Sequence, residues 1–214
     1  MTIITEAFAF DGGRKVTVYV PSRPTEAIVY CGDGQLITQW GADIEAEGLP
    51  STMIVGLHRH PDETLRLHEY SPKFDPVAFE QHEEFLVRDA YTWANSEFDL
   101  NIPREKTAIF GVSAGGEFAL AMGGRHSDTF GAVFSASPGA GFRPAEQACG
   151  LMPPTYLVAG RQEPFFLENA LRWANALRDN GVDVVMKERD AGHDDSMWRA
   201  EFPKMVAWAF SQNR

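Results

Sequence analysis

The sequence predicts an α/β fold on a mostly parallel, doubly wound sheet, and three observations predict it. Short runs rich in β-branched residues recur along the chain: "EAIVYC", "STMIVGL", "TAIFGV", "GAVFSAS", "PTYLVAG" and "VDVVMKE". Several are apolar nearly throughout, the composition of strands covered on both faces. Segments with helical spacing separate the later runs, and strand–helix alternation implies an α/β sheet with right-handed crossovers. At the N-terminus, "EAFAF" and "KVTVYV" alternate in type around "DGGR", which supplies the turn of an antiparallel hairpin.

Helices are expected on both faces of the sheet. "DPVAFEQHEEFLVRDAYTWANSEF" sets Val77, Phe85, Tyr91 and Phe98 among charged residues, and "AGGEFALAMGGRH" opens on a serine turn. "PFFLENALRWANALRDNG" offers Pro164 for a first helical turn and Gly181 as its stop. "SMWRAEFPKMVAWAF" closes the chain, with a kink expected at Pro203. No repeat or long linker interrupts the 214 residues, so residues 1–214 are read as one domain with a sizeable core.

Composition narrows the function. Hydrophobic residues make up 44% and charged ones 23%, ordinary globular usage. The formal net charge of −11 disfavours nucleic acid or an anionic membrane as a partner, since both call for a basic surface. No apolar run approaches the roughly 20 residues that span a bilayer. "MTIITEAFAFDGGRK" lacks a basic segment followed by an apolar core, which leans the expected location towards the cytoplasm. Cys31 and Cys149 make no disulfide framework, and no CxxC pair or Cys/His cluster suggests structural zinc.

The chemistry is expected at "GVSAG", residues 111–115, a G-x-S-x-G pattern between an apolar strand and a helix. Such a turn serves packing alone or holds a nucleophile. A serine in a strained bend crowds its neighbours, and flanking glycines let strand and helix pass. The bend lifts Ser113 above the strand ends, where a helix N-terminus favours developing negative charge. A serine hydroxyl needs a base. His193, in the loop "ERDAGHDDS" after the last strand, stands where the order Ser, acid, His requires it. His126, the other histidine beyond Ser113, reads as a helix end. The orienting acid is expected at Glu163, just past "LVAG", with Asp190 as the alternative. An oxyanion hole is expected from the amide of Ala114 and that of Gly34 or Gln35, in the turn "CGDGQ".

Together these segments resemble the esterase D / enterochelin-esterase-like branch of the α/β-hydrolase superfamily, from about Val18 onward. The likeness rests on "IVYCGDGQ", on "FGVSAGGEFAL" with "HSDTFGAVFSASPG", and on "VAGRQEP" and "GHDDSMWR". It also includes an R-x-x-E-Y-[ST]-P signature at Arg66, Glu69, Tyr70, Ser71 and Pro72. The resemblance implies ester hydrolysis through an acyl-enzyme, with Ser113, Glu163 and His193 as triad and no metal or organic cofactor. It implies a small-molecule ester as partner, with Arg66 and Trp198 among the substrate-binding residues and Trp198 and Arg199 in the family's Trp-Arg position. Two departures stand out: Glu rather than the commoner Asp as acid, and a Ser137–Leu151 stretch too short for a large lid. Acyl transfer, an S-formylglutathione-type thioesterase and a non-catalytic binding protein are the alternatives on the same scaffold.

"HRH", His58 to His60, lacks a third ligand at convincing spacing, so metal is not expected there. His58, His60, Arg59 and Arg66 are expected instead to line a basic pocket mouth that prefers anionic or phenolic acyl groups.

Overall fold

The computed structural model describes residues 2–143 and 152–211. Eight strands form one sheet: β1 Thr2–Ala7, β2 Lys15–Val20, β3 Ala27–Cys31, β4 Thr52–Leu57, β5 Thr107–Val112, β6 Ala132–Ala136, β7 Thr155–Gly160 and β8 Val184–Arg189. Their order is β1-β2-β4-β3-β5-β6-β7-β8. β1 pairs antiparallel with β2 and β2 with β4, while every other pairing is parallel. The hairpin of the sequence analysis is therefore the antiparallel edge of a parallel sheet. Its first strand stops at Ala7, before "EAFAF" ends, because Phe8 and Phe10 turn away to pack on Phe85.

Among the described residues eight α-helices surround the sheet: α1 Gly34–Ile37, α2 Gly41–Ala46, α3 Glu63–Tyr70, α4 Pro76–Glu84, α5 Tyr91–Glu97, α6 Ala114–Arg125, α7 Pro164–Asp179 and α8 Asp195–Phe210. A π-helical segment, Phe85–Ala90, joins α4 to α5. Pro164 does open α7, and Gly181 follows it at φ 76°. Pro203 lies inside α8, and helix is maintained on either side of the expected kink. Val77, one of the four apolar residues picked out in that segment, is exposed in the first turn of α4.

Alternation along the strands sorts side chains into two cores. Ile28 and Tyr30 of β3 join Phe118, Leu120, Trp173 and Leu177 of α6 and α7 on one face. Val29 and Cys31 join Trp40, Ile44, Phe202 and Met205 of α1–α2 and α8 on the other. Both faces being covered explains why the central strands are apolar throughout. The chain thus has the α/β-hydrolase fold, and the parallel strands all end at one edge, where loops are free to carry function.

Candidate active site

Five non-glycine residues among those described have positive φ, and three of them end strands at this edge: Asp33 after β3, Ser113 after β5 and Ser137 after β6. Left-handed backbone in ordinary residues clusters at functional sites. Ser113, at φ 57° and ψ −123°, is the sharpest bend, and its carbonyl accepts from Gly116 as α6 begins. A Cβ on Gly111 would sit 1.8 Å from the carbonyl oxygen of Gly115. A Cβ on Gly115 would come within 2.9 Å of Asp33 Oδ2. The two glycines of the G-x-S-x-G pattern are there for close approach.

Above the bend, Ser113 Oγ lies 3.0 Å from His193 Nε2, and His193 Nδ1 lies 2.5 Å from Glu163 Oε2. Burial falls along this line, with 3% of the Glu163 side chain and 30% of the His193 side chain exposed. Glu163 is the N-cap residue of α7, yet its carboxylate makes no capping hydrogen bond. It turns instead to the strand ends, where Gly160 N–H (2.6 Å) and the Ser137 hydroxyl (2.5 Å) donate to Oε1. Asp190, the alternative acid, is exposed and accepts from Gln162. His126 ends α6 and pairs with Glu83.

Aromatic rings hold the imidazole. Phe166 stacks on His193 with centroids 3.8 Å apart, and Trp198 meets it edge-on at 4.8 Å. Trp198, expected to contact substrate, is buried behind His193 and donates its indole N–H to Ser137 Oγ at 2.8 Å. Ser137 and Phe166 were not singled out in the sequence, although Ser137 directly follows β6 and Phe166 lies three residues after Glu163.

The amides of Ala114, at the start of α6, and of Gly34 and Gln35, at the start of α1, have no acceptor within their own helices. The N–H of Asp33 is committed to the Tyr70 hydroxyl, 2.8 Å away.

Arg66 and His58 do not join this arrangement. Arg66 is buried and forms a bidentate pair with Asp33, both contacts at 2.9 Å, while its guanidinium lies 5.0 Å over the Tyr70 ring. Burial works against its charge, but Asp33 holds the guanidinium above its ordinary pKa. Arg59 pairs with Glu63 and Asp33. His58 bonds Thr17 Oγ1 at 2.7 Å, and burial pushes its pKa down. Glu69 accepts both Nη groups of Arg14, at 2.9 and 2.7 Å. The R-x-x-E-Y-[ST]-P signature is thus a clamp joining α3 to the β3 loop and to the hairpin. The expected basic pocket mouth is therefore not formed by these side chains: Arg66 and Arg59 meet carboxylates, and His58 meets Thr17.

A cavity of about 370 Å³ does open beside Ser113 and Ala114. Leu67, Phe74, Phe165 and Phe166 give it apolar walls, while Lys73 and Arg143 bring positive charge and Glu117 a buried carboxyl. Burial pushes the Glu117 pKa up, against a hydrogen bond from the Gly141 N–H. A larger hollow of about 590 Å³, lined by His60 and His68 near α3 and α4, contains no residue of the Ser113 line. Among the described residues no cluster of three or more His, Cys, Asp or Glu is arranged to hold a metal. No described helix is long and apolar enough to cross a membrane. Residues 144–151, including Cys149 and most of the stretch expected to be too short for a lid, lie outside the described residues.

Solved esterases share this architecture. A ferulic acid esterase superposes with a TM-score of 0.76 at 17% identity, covering 98% of this chain and 97% of that one. The enterobactin esterase of Shigella flexneri, solved with 2,3-di-hydroxy-N-benzoyl-serine, gives 0.83 at 17% identity, covering 99% and 60%. The ferulic acid esterase of Anaeromyces mucronatus in complex with ferulic acid gives 0.76 at 17% identity, covering 98% and 90%. At such identities the likeness is one of fold. The acetyl esterase of Caldicellulosiruptor saccharolyticus is 25% identical over 166 residues, which is 58% of this chain and 62% of that protein. The sequence model described as "Putative esterase" matches residues 9–146, more than half of the chain and including Ser113, and the chain belongs to that esterase family.

Proposed function

We propose that the chain is a single-domain serine carboxylesterase acting on a small-molecule ester through an acyl-enzyme. One observation carries this reading: the hydrogen-bonded line from Ser113 through His193 to Glu163, with the serine at the tip of a strained bend. Ser113 Oγ attacks the ester carbonyl while His193 Nε2 takes its proton. The amide of Ala114, with that of Gly34 or Gln35, holds the tetrahedral oxyanion, each donor contributing about 3 kcal/mol. His193 then protonates the leaving alcohol, and a water activated by the same nitrogen releases the acid. Glu163 keeps the imidazole in the tautomer with Nδ1 protonated. The reading includes no metal and no organic cofactor.

His193 protonates the leaving group and is absent from the cavity lining, so the cavity is assigned to the acyl part. Its phenylalanines suit a small or aromatic acyl group, in keeping with the ferulic acid and dihydroxybenzoyl-serine of the structural neighbours. The test is hydrolysis of p-nitrophenyl esters, acetate through octanoate, plus a feruloyl ester. Turnover by wild type that Ser113→Ala abolishes is expected; equal turnover by both proteins contradicts the reading.

A further inference from the structure

We propose that Trp198 and Ser137 form a one-way chain of hydrogen-bond donors that keeps the Glu163 carboxylate aimed at His193, making both of them positioning residues for the reaction proposed above, on which this inference rests. The direction follows from what each group is able to give. An indole N–H donates and never accepts. Its contact with Ser137 Oγ at 2.8 Å therefore makes the hydroxyl oxygen the acceptor, and the hydroxyl proton must point elsewhere. Glu163 Oε1, 2.5 Å away, receives it. The backbone N–H of Gly160 gives a second hydrogen bond to the same oxygen at 2.6 Å.

Glu163 thus faces donors on both oxygens, two on Oε1 and the imidazole Nδ1–H on Oε2. With the imidazole in its Nδ1–H tautomer all three partners donate, and the carboxylate accepts from each. Saturating Oε1 also fixes the rotation of the carboxylate plane, which leaves Oε2 for the imidazole. Hydrogen bonds of this kind to a charged group are about twice as strong as neutral ones.

Backbone geometry points the same way. Ser137 is fully buried with φ at +48°, a conformation that glycine takes without strain and serine does not. Its own N–H is occupied by Val158 O. What serine adds over glycine at this position is the hydroxyl, and both functions of that hydroxyl are used. The arrangement also suits the longer acid. Glu163 starts from the N-cap of α7, and its side chain reaches back to Gly160 and Ser137 at the ends of β7 and β6.

Because the indole acts through the hydroxyl, the two residues are coupled, and a double-mutant cycle reads the coupling directly. Wild type, Ser137→Gly, Trp198→Phe and the double variant are compared for kcat and KM on p-nitrophenyl acetate, with Ser113→Ala alongside. Glycine suits the φ of residue 137, and phenylalanine keeps a ring against His193. Ser137→Gly is expected to lower kcat about tenfold or more, the scale of one hydrogen bond to a charged group, with KM within about twofold. Trp198→Phe is expected to lower kcat by about threefold or more, and the double variant to match Ser137→Gly within about twofold. Fold-losses that multiply in the double variant, or a Ser137→Gly kcat within about twofold of wild type, overturn the proposal. Should Ser137→Gly not fold, Trp198→Phe alone decides: a lowered kcat at unchanged KM supports the chain, and an unchanged kcat overturns it. If Ser113→Ala keeps full activity, the underlying reaction falls as well; if it is inactive and the cycle is additive, only the donor chain falls.

Discussion

Two stretches of the same sheet edge carry hydrogen-bonded polar residues and use them in opposite ways. Beyond β3 and β4, Arg66 closes on Asp33 and Arg14 on Glu69, with all four residues buried. Beyond β5 to β8, the polar line starts buried at Glu163 but emerges through His193 to a serine beside a cavity. A closed pair spends its charge on bracing, whereas a chain with one end open leaves a hydroxyl at a cavity, as the proposed reaction requires. Both stretches attracted attention in the sequence, and only geometry separates them.

The separation is breakable at its open end first. His193→Ala removes the proposed base, and kcat is expected to fall about 10⁴-fold or more in an ester hydrolysis assay, with the unfolding midpoint little changed. A loss of stability that matches the loss of activity would place His193 among the braces instead.

Arg66→Ala strikes the closed end. It removes the bidentate partner of the buried Asp33 and leaves it the longer Arg59 contact at 3.7 Å, and breaking such a pair destabilises by about 3 kcal/mol in denaturant unfolding. The preference for anionic over neutral esters is expected to stay as in wild type, because this guanidinium faces Asp33 and not the cavity. A changed preference in the folded variant would reopen Arg66 as a substrate contact.

The bracing region also carries a group that titrates. His82 is fully buried with neither ring nitrogen hydrogen-bonded, and burial, with Arg14 nearby, holds its pKa down to about 3 from the usual 6.5. The folded state therefore binds fewer protons than the unfolded chain. The contribution is fully present above about pH 6.5 and declines as pH falls towards 3. Between pH 7 and 5 the loss is about 2 kcal/mol, read as a lower urea midpoint, and His82→Phe should flatten that part of the curve.

The smallest expected effect lies at the cavity rim. Lys73 and Arg143 are exposed cations lining it, so the Lys73→Ala, Arg143→Ala double variant should reduce selectivity for anionic over neutral esters by a few-fold, within the roughly 1 kcal/mol of exposed charges. Selectivity unchanged in that variant would remove charge from the account of the acyl pocket.

Much of this was legible in the chain itself. Six apolar runs became β3 to β8, because strands buried on both faces leave a mark that few other elements share. Ser113, Glu163 and His193 were legible by their order and their places at strand ends. α3 was missed because "ETLRLHEY" has little apolar content, although Asp62 caps it through the amides of Thr64 and Leu65. The short helices after β3 were hidden by a glycine-rich turn. Arg66 and His58 were misplaced for a different reason. Nothing in the local sequence tells that Asp33, 33 residues before Arg66, will meet it. Ser137 was missed because its role depends on Trp198, 61 residues away, and its only local sign is its place after an apolar strand.

The most direct measurement is intact and peptide mass spectrometry after treatment with a fluorophosphonate, for wild type beside His193→Ala. The account predicts one adduct on wild type, located at Ser113, and its loss or strong slowing in the variant. An adduct at another residue, or none on a folded wild-type protein, would contradict it.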